Sequence, residues 1–462
     1  MLTIQAVAQA VGGHIIGEPA DDQPITVVTI DSRQITPGAL FVALKGQKHD
    51  GHEFLLDAFV RGARAALVER TPDNSTLLAG KQPPPLILVE DTMAAFQRLA
   101  HWWRKELGIK VIGVTGSVGK TTTKEVIASV LSQRFEVLKS EGNLNTETGV
   151  PLTLLKAQPR HQLLVLEMGM YAQGEIRALS QLACPNVGVV TNVGPTHLER
   201  LGTIERIAAA KAELVEELPE DGLAILNYDD SRVRAMASKT RAKVAYYGLS
   251  PEAEFWADAV HSRGLQGIQF DLRRGDEWVH VRMPLLGLHS VHAALAAAAV
   301  AYHQGMNLEE IAAGLHEVSS ALRLIVAVGI NGSTIIDDSY NASPASTLAA
   351  LNLLSELEGR KVAVLGDMRE LGSFTEEGHR MVGRRAVDVV DLLVVVGDLG
   401  EIIGREALST GKDEQSVFIA KSNEEAIQQL KANLRPGDCV LVKGSRGMRM
   451  EEIVEAIRCP TH

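Results

Sequence analysis

Residues 110–123 read KVIGVTGSVGKTTT, and their reading decides the fold. The apolar run Val111 to Val114 predicts a buried strand. Gly116 and Gly119 follow, where the backbone must bend tightly and approach a ligand closely. Lys120, Thr121 and Thr122 then open a segment, Lys124 to Leu131, whose apolar residues recur at helical spacing. Together these pieces form an anion cradle. The loop amides of Gly116, Ser117, Val118 and Gly119 and the helix N-terminus carry positive partial charge. Lys120 adds a full charge, and the Thr121 hydroxyl can ligate Mg²⁺. The pattern is T-G-S-x-G-K-T-T, departing from G-x-x-x-x-G-K-[ST] because residue 114 is Val. An ordinary glycine turn before a helix would need no Lys-Thr pair after its second glycine. The stretch therefore predicts a nucleoside triphosphate site.

A chain of 462 residues exceeds one hydrophobic core, so several domains are expected. Its 46 Lys+Arg against 57 Asp+Glu leave a net charge of −11, which disfavours nucleic acid or an anionic membrane as the main partner. Cys184, Cys439 and Cys459 are far apart and lack metal-type spacing, which suggests a reducing compartment. The first residues, MLTIQAVAQAVGG, lack a basic segment followed by an apolar core, so no signal peptide is expected. The longest apolar stretch, Ala293 to Tyr302, is short and mostly alanine, so no membrane insertion is expected. A cytoplasmic monomer is the expectation.

Taken in order, the chain reads as an α/β protein of three domains. Residues 1–108 form a small α/β unit, with strands at Ile25 to Ile30, Leu40 to Leu44 and Ala65 to Val68, and a closing helix Ala94 to Leu107. Trp102 and Trp103 on that helix read as packing residues. Residues 109–322 repeat strand-then-polar-loop units: Leu163 to Leu166 ends in Glu167-Met168-Gly169, and Val187 to Thr191 ends in NVGPTHLERLG. In a parallel sheet, ligands sit at the carboxyl ends of strands. Residues 254–283 alternate as strands do, and His289 to Gln304 reads as an Ala-rich helix. From residue 323 the alternation restarts, with strands ending in Asp337-Asp338, Gly366-Asp367, Gly397-Asp398 and Lys443-Gly444-Ser445, the pattern of a Rossmann-like, doubly wound sheet.

Three side chains carry possible chemistry. Glu167 closes a buried strand, where a carboxylate can hold Mg²⁺ as phosphoryl transfer requires. His197 by itself reads as a satisfied loop histidine, and Lys211, in AAAKAEL, as a solvated helix lysine. The polar stretch GNLNTETGVP, residues 142–151, is too specific for a linker.

In this order, TGSVGKTT, GNLNTETGVP, the Glu of LEMG, TNVGPTHLERLG, the Lys of AKAE and IIDDSYNASP resemble the Mur ligase superfamily, ATP-dependent amide-forming enzymes of peptidoglycan assembly. The resemblance covers essentially the whole chain. IIDDSYNASP, VLGDMRELG and LVKGSRGMRMEEIV resemble the member that makes the last amide, which implies UDP-N-acetylmuramoyl-tripeptide and D-alanyl-D-alanine as substrates. The segment DSRQITPGALFVAL…DGHEF looks like the uridine-nucleotide domain shared with the preceding ligase, whose D-Y-A-H-T-P and D-N-P-R motifs are absent.

The resemblance implies roles for matched positions. Lys120 would meet the β- and γ-phosphates, with Thr121 and Glu167 around one Mg²⁺ and His197 holding a second. Lys211 matches a lysine that carries a carbamate in related ligases. Arg323 would reach ATP across a domain boundary, and Asp338 would meet its ribose. Ser32, Arg33, Lys45 and His52 would lie near the uridine diphosphate, while Asn143, Asn145, Thr146, Tyr340, Asn341, Lys443 and Ser445 would contact substrate. Two departures stand out. Leu322-Arg323 replaces Gly-Arg, and His289-Ser290-Val291-His292-Ala293 replaces H-N-x-x-N, removing the asparagines expected near adenine. Either His292 substitutes for them or it packs. A different amide ligase of the superfamily, or a P-loop switch protein, would fit the phosphate cradle equally.

Overall fold

Residues 110–115 form the expected strand, Lys110–Thr115, buried from its second residue onward because every one of those side chains is apolar, small or hydroxylic. The computed structural model describes residues 1–18, 23–46, 48–71, 84–318 and 325–459. It holds three sheets, of five, nine and six strands, in an α/β arrangement. The chain divides into two compact units, Met1–Gly113 with Phe135–Gly169 and Glu175–Asn186, and Val114–Arg134 with Met170–Gly174 and Val187–His462.

In the first unit, the five-stranded sheet runs in the order His14–Ile16, Leu86–Leu88, Ala65–Val68, Leu40–Val42, Val28–Thr29. The pair containing His14–Ile16 is antiparallel and the rest are parallel. Phe41, Leu55, Ala66 and Val68 make one of its cores. The strand expected at Ile25 to Ile30 shrinks to Val28–Thr29. Helix Thr92–Leu107 is capped by Asp91 and stopped by Gly108 in the left-handed conformation, with Arg104 and Lys105 on its negative end. Trp103 packs there and donates its indole N–H to the Ala157 carbonyl at 2.9 Å.

In the second unit, Val187–Val190, Leu223–Asn227 and Lys243–Gly248 are parallel and in register, so Val190 faces Leu226 and Asn227 faces Tyr247. Their carboxyl ends therefore lie side by side. Phe255–Ser262, Ile268–Arg274 and Glu277–Met283 continue as an antiparallel meander. Helix Ser290–His303, whose alanines are all buried, packs on helix Lys120–Leu131; small side chains let the two approach. The six-stranded sheet runs Ile325–Val328, Thr334–Asp338, Cys439–Lys443, Lys361–Gly366, Leu392–Val396, Val417–Ala420, parallel after its first pair. Alternate residues feed two cores: Ala363, Leu365, Leu393 and Val395 one, Val362, Val364, Leu392 and Val394 the other. That is the burial of a sheet covered on both faces. Among the described residues, no helix is long and apolar enough to cross a membrane.

Candidate active site

The loop after Thr115 has a geometry that only its glycines allow. Gly116 has φ +151°, and a Cβ there would sit 1.9 Å from the Thr191 hydroxyl oxygen. Gly119, in the left-handed region, begins helix Lys120–Leu131. The helix starts four residues before the apolar spacing does, because a first turn that faces a ligand needs no apolar side. The Lys120 ammonium donates to the carbonyls of Gly116 at 2.9 Å and Ser117 at 3.2 Å, lying back over the loop.

A second strand-end loop, Thr191 to Gly194, fastens the first. The Ser117 N–H donates to the Asn192 carbonyl at 2.9 Å, and the Val118 N–H to Asn192 Oδ1 at 2.9 Å. Asn192 Nδ2 and the Thr191 hydroxyl both donate to the Val118 carbonyl, at 2.9 and 2.7 Å. The Ser117 hydroxyl exchanges hydrogen bonds with the Gly194 backbone. This corrects one expectation: the amides of Ser117 and Val118 are spent on Asn192 and not offered to phosphate. The anion-facing part of the cradle narrows to Gly119 and the helix start. Asn192 went unnoticed in the sequence because its role lies in holding backbone, although the T-N-V-G run around it stood out.

Beside the cradle, Gly119, Thr122, Tyr247, His292, Ala293 and Pro344 line part of a cavity of about 350 Å³. Asn227, at the strand end, donates to the Thr191 carbonyl at 2.8 Å and accepts from the Asp229 N–H at 3.0 Å, which leaves its amide committed to backbone. His292 does not pack in the core. Its Nε2 is bonded to the Asp229 carboxylate at 2.7 Å, and it faces the cavity. Burial pushes Asp229 up, but His292 and the backbone amides of Leu249 and Ser250 outweigh it and hold it below the usual range. His289 is exposed to solvent, yet desolvation by the protein around its ring, with smaller repulsion from His292 and Lys443, pushes its pKa down to about 4. Ser290, where the asparagine was expected, donates to the Leu286 carbonyl at 2.8 Å.

Lys211, on helix Ile204–Glu216, is 2 % exposed rather than solvated. Among the described residues its amine makes no ion pair or hydrogen bond, and burial, then repulsion from Lys120, hold its pKa well below the usual lysine range. His197 is lowered by burial, opposed by Glu370 and assisted by Lys120 and Lys211, which identifies those two lysines as its charged neighbours. His197 has φ +57° and Glu370 φ +64°, a conformation costing on the order of 1–3 kcal/mol for a non-glycine residue. The His197 Nδ1–H donates to Glu370 Oε2 at 2.7 Å. Glu370 was passed over in the sequence, although it lies inside VLGDMRELG.

The remaining expected residues fall in separate places. In the first unit, buried Glu167 accepts from the Asn145 amide at 2.8 Å, and its N–H donates to Ser140. Thr146 shares a hydrogen bond with Thr148, and Asn143 is exposed. Ser32 is buried, Arg33 is paired with Asp31, and Lys45 is exposed. His52 is not a free donor: its Nδ1 bonds Asp50 at 2.7 Å and its Nε2 accepts the Glu69 N–H at 2.9 Å. In the six-stranded sheet, the buried Lys443 ammonium is taken up by Asp338 at 2.6 Å and the Asn341 carbonyl at 2.8 Å, so it steadies Asp338. Ser445 accepts from the Arg369 N–H, while Tyr340 is exposed beneath the Arg446 guanidinium. Arg323 lies outside the described residues.

A phosphate loop fastened at a strand end, a buried lysine whose pKa is held low and a cavity beside the loop define a nucleotide-using enzyme. Models of three Mur ligase segments match the chain: the Mur ligase family catalytic domain over residues 24–103, the middle domain over 114–301 and the glutamate ligase domain over 322–446. The UDP-N-acetylmuramoyl-tripeptide–D-alanyl-D-alanine ligase of Bacillus subtilis is 38% identical over 98% of this chain and 97% of its own. MurF from Acinetobacter baumannii superposes with a TM-score of 0.86 at 31% identity, covering 98% of both chains. MurF ligase from Thermotoga maritima, solved in complex with ADP, superposes with a TM-score of 0.80 at 29% identity, over 94% of this chain and 97% of that one. The chain belongs to the Mur ligase family of ATP-dependent amide-forming ligases, and within it to the UDP-N-acetylmuramoyl-tripeptide–D-alanyl-D-alanine ligases.

Proposed function

We propose that this enzyme joins D-alanyl-D-alanine to the terminal carboxylate of UDP-N-acetylmuramoyl-tripeptide. The carboxylate attacks the γ-phosphorus of ATP, the bond to the β,γ-bridging oxygen breaks, and an acyl phosphate and ADP result. The dipeptide amine attacks the acyl carbon, loses a proton and expels inorganic phosphate. The reading rests above all on the 38% identity, sustained over 98% of the chain, to a ligase whose name states that reaction. Transfer of a phosphoryl group calls for positioning and charge neutralisation more than for a nucleophilic side chain. Lys120 and the helix start supply that, Thr122 and Gly119 border the phosphates, and His292, steadied by Asp229, reads the base.

Mg²⁺ fits the donors present. Among the described residues no cluster of three acidic, histidine or cysteine side chains stands ready for a metal. That suits an ion bound largely through phosphate and water, with few protein ligands. The Thr121 hydroxyl, the His197 nitrogen not bonded to Glu370 and Lys211 would hold it. Bound Mg²⁺ would neutralise charge developing on the phosphoryl oxygens. With its pKa held well below the usual lysine range, the Lys211 ammonium can give up a proton and the amine add CO₂, forming an N–C bond and releasing a second proton, which changes a repelling cation into an anionic ligand. Residues 1–108, 109–322 and 323–462 serve as uridine-nucleotide, ATP and D-alanyl-D-alanine domains of a cytoplasmic monomer, in which Arg323 and Asp338 would have ATP-binding roles. ADP release should require both the tripeptide nucleotide and D-alanyl-D-alanine. Equal release with free amino acids would overturn the assignment.

A further inference from the structure

The hydrogen bond between His197 and Glu370 joins two distant parts of the second unit. His197 follows strand Val187–Val190, and Glu370 follows strand Lys361–Gly366. Because a carboxylate only accepts, the 2.7 Å contact places the proton on Nδ1 and leaves Nε2 as the nitrogen with a lone pair. Both residues hold left-handed backbones, which persist only where surroundings over-determine them. The surroundings do so here. Glu199 donates its N–H to the Glu370 carbonyl, and Gly372, φ +55°, lies so close that a Cβ would come within 2.9 Å of the Glu199 backbone. The Tyr171 ring meets His197 edge-on at 5.3 Å.

The loop bearing Glu370 is anchored at its other end. Asp367 accepts from the Leu399 and Gly400 amides at 3.0 Å, and the Arg369 N–H donates to the Ser445 hydroxyl at 2.8 Å. A continuous set of bonds therefore runs from the six-stranded sheet to the imidazole beside Lys120 and Lys211. We propose that Glu370 is a positioning residue: seating of loop Asp367–Gly372 fixes His197 as the Nδ1–H tautomer and so arms Nε2 for the metal–phosphate side of the reaction. This rests on the reading of His197 given above. A carboxylate that orients a ligating histidine is worth roughly 10–100-fold in metal affinity or activity. An incidental ion pair, half-exposed as Glu370 is, would be worth little.

Full-length protein labelled with ¹⁵N-histidine reports the tautomer without metal or nucleotide, with His197→Ala assigning its signals. Glu370→Ala should convert His197 from the Nδ1–H form to a mixture. It should also raise the Mg²⁺ concentration for half-maximal turnover roughly 10–100-fold. Glu370→Gln, whose amide oxygen still accepts, should keep the tautomer. Gly372→Ala, which blocks seating of the loop without touching either side chain, should reproduce Glu370→Ala. An unchanged tautomer and Mg²⁺ requirement in Glu370→Ala, with His197→Ala impaired, would overturn the role of Glu370. A normal Mg²⁺ requirement in His197→Ala would instead overturn the reading of His197 itself.

Discussion

Replacing Gly116 by alanine tests whether the phosphate loop is held by its neighbour as described. The new Cβ would sit 1.9 Å from the Thr191 hydroxyl oxygen and 3.2 Å from the Asn192 nitrogen. Thr191 must then give up its 2.7 Å hydrogen bond to the Val118 carbonyl, a loss of about 1 kcal/mol. A φ of +151° in a residue with a Cβ adds strain on the order of 1–3 kcal/mol. Together these oppose the ATP-competent loop by roughly 2–4 kcal/mol, or about 30- to 1000-fold in affinity. Calorimetric titration with ATP measures the change, and a thermal melt shows that the fold persists. Adding Thr191→Ala removes the clashing oxygen and should recover part of the loss, but not the backbone strain. A Kd within threefold of the parent, with the melt unchanged, would refute the account of the loop.

Three further outcomes follow from the same site. Lys211→Ala should lower turnover roughly 100- to 1000-fold, as removal of one charge-stabilising group typically does, and added acetate should restore part of it; no rescue would leave Lys211 without an anionic role. His292→Ala should raise the KM for ATP roughly 2- to 10-fold, the worth of one hydrogen bond to an uncharged base, and narrow its preference over other purine nucleotides; an unchanged preference would remove His292 from base reading. His289 has a folded pKa of about 4 against an ordinary 6.5, so the unfolded chain binds the extra proton between those values. The contribution of this residue is therefore full above pH 6.5 and falls as the pH drops toward 4. Urea midpoints at pH 7.5 and 5 check this, and a His289→Phe variant should flatten the dependence.

The strand, glycine loop and helix start at 110–131 were legible because each obeys a local rule: an apolar run, two glycines, then helical spacing. The six-stranded sheet was legible for the same reason, its strands being continuous apolar runs ended by polar residues. Short strands such as Val137–Lys139 and His14–Ile16 escaped because three residues carry no period. Chemistry was harder. Nothing local distinguishes a solvated lysine from Lys211, whose burial comes from packing around a helix, and the resemblance alone singled it out. Lys443 and His52 look like substrate contacts in sequence, yet Asp338 and Asp50, placed by the fold, engage both. The pairing of Glu370 with His197 spans 173 positions and has no sequence period to reveal it.

The central claim is that the ATP held at residues 116–122 activates a substrate carboxylate. Substrate labelled with ¹⁸O in the terminal tripeptide carboxylate, turned over with ATP and D-alanyl-D-alanine, tests it directly. The account predicts one ¹⁸O atom carried into inorganic phosphate for each amide bond formed. Unlabelled phosphate, released at the same rate as amide, would contradict it.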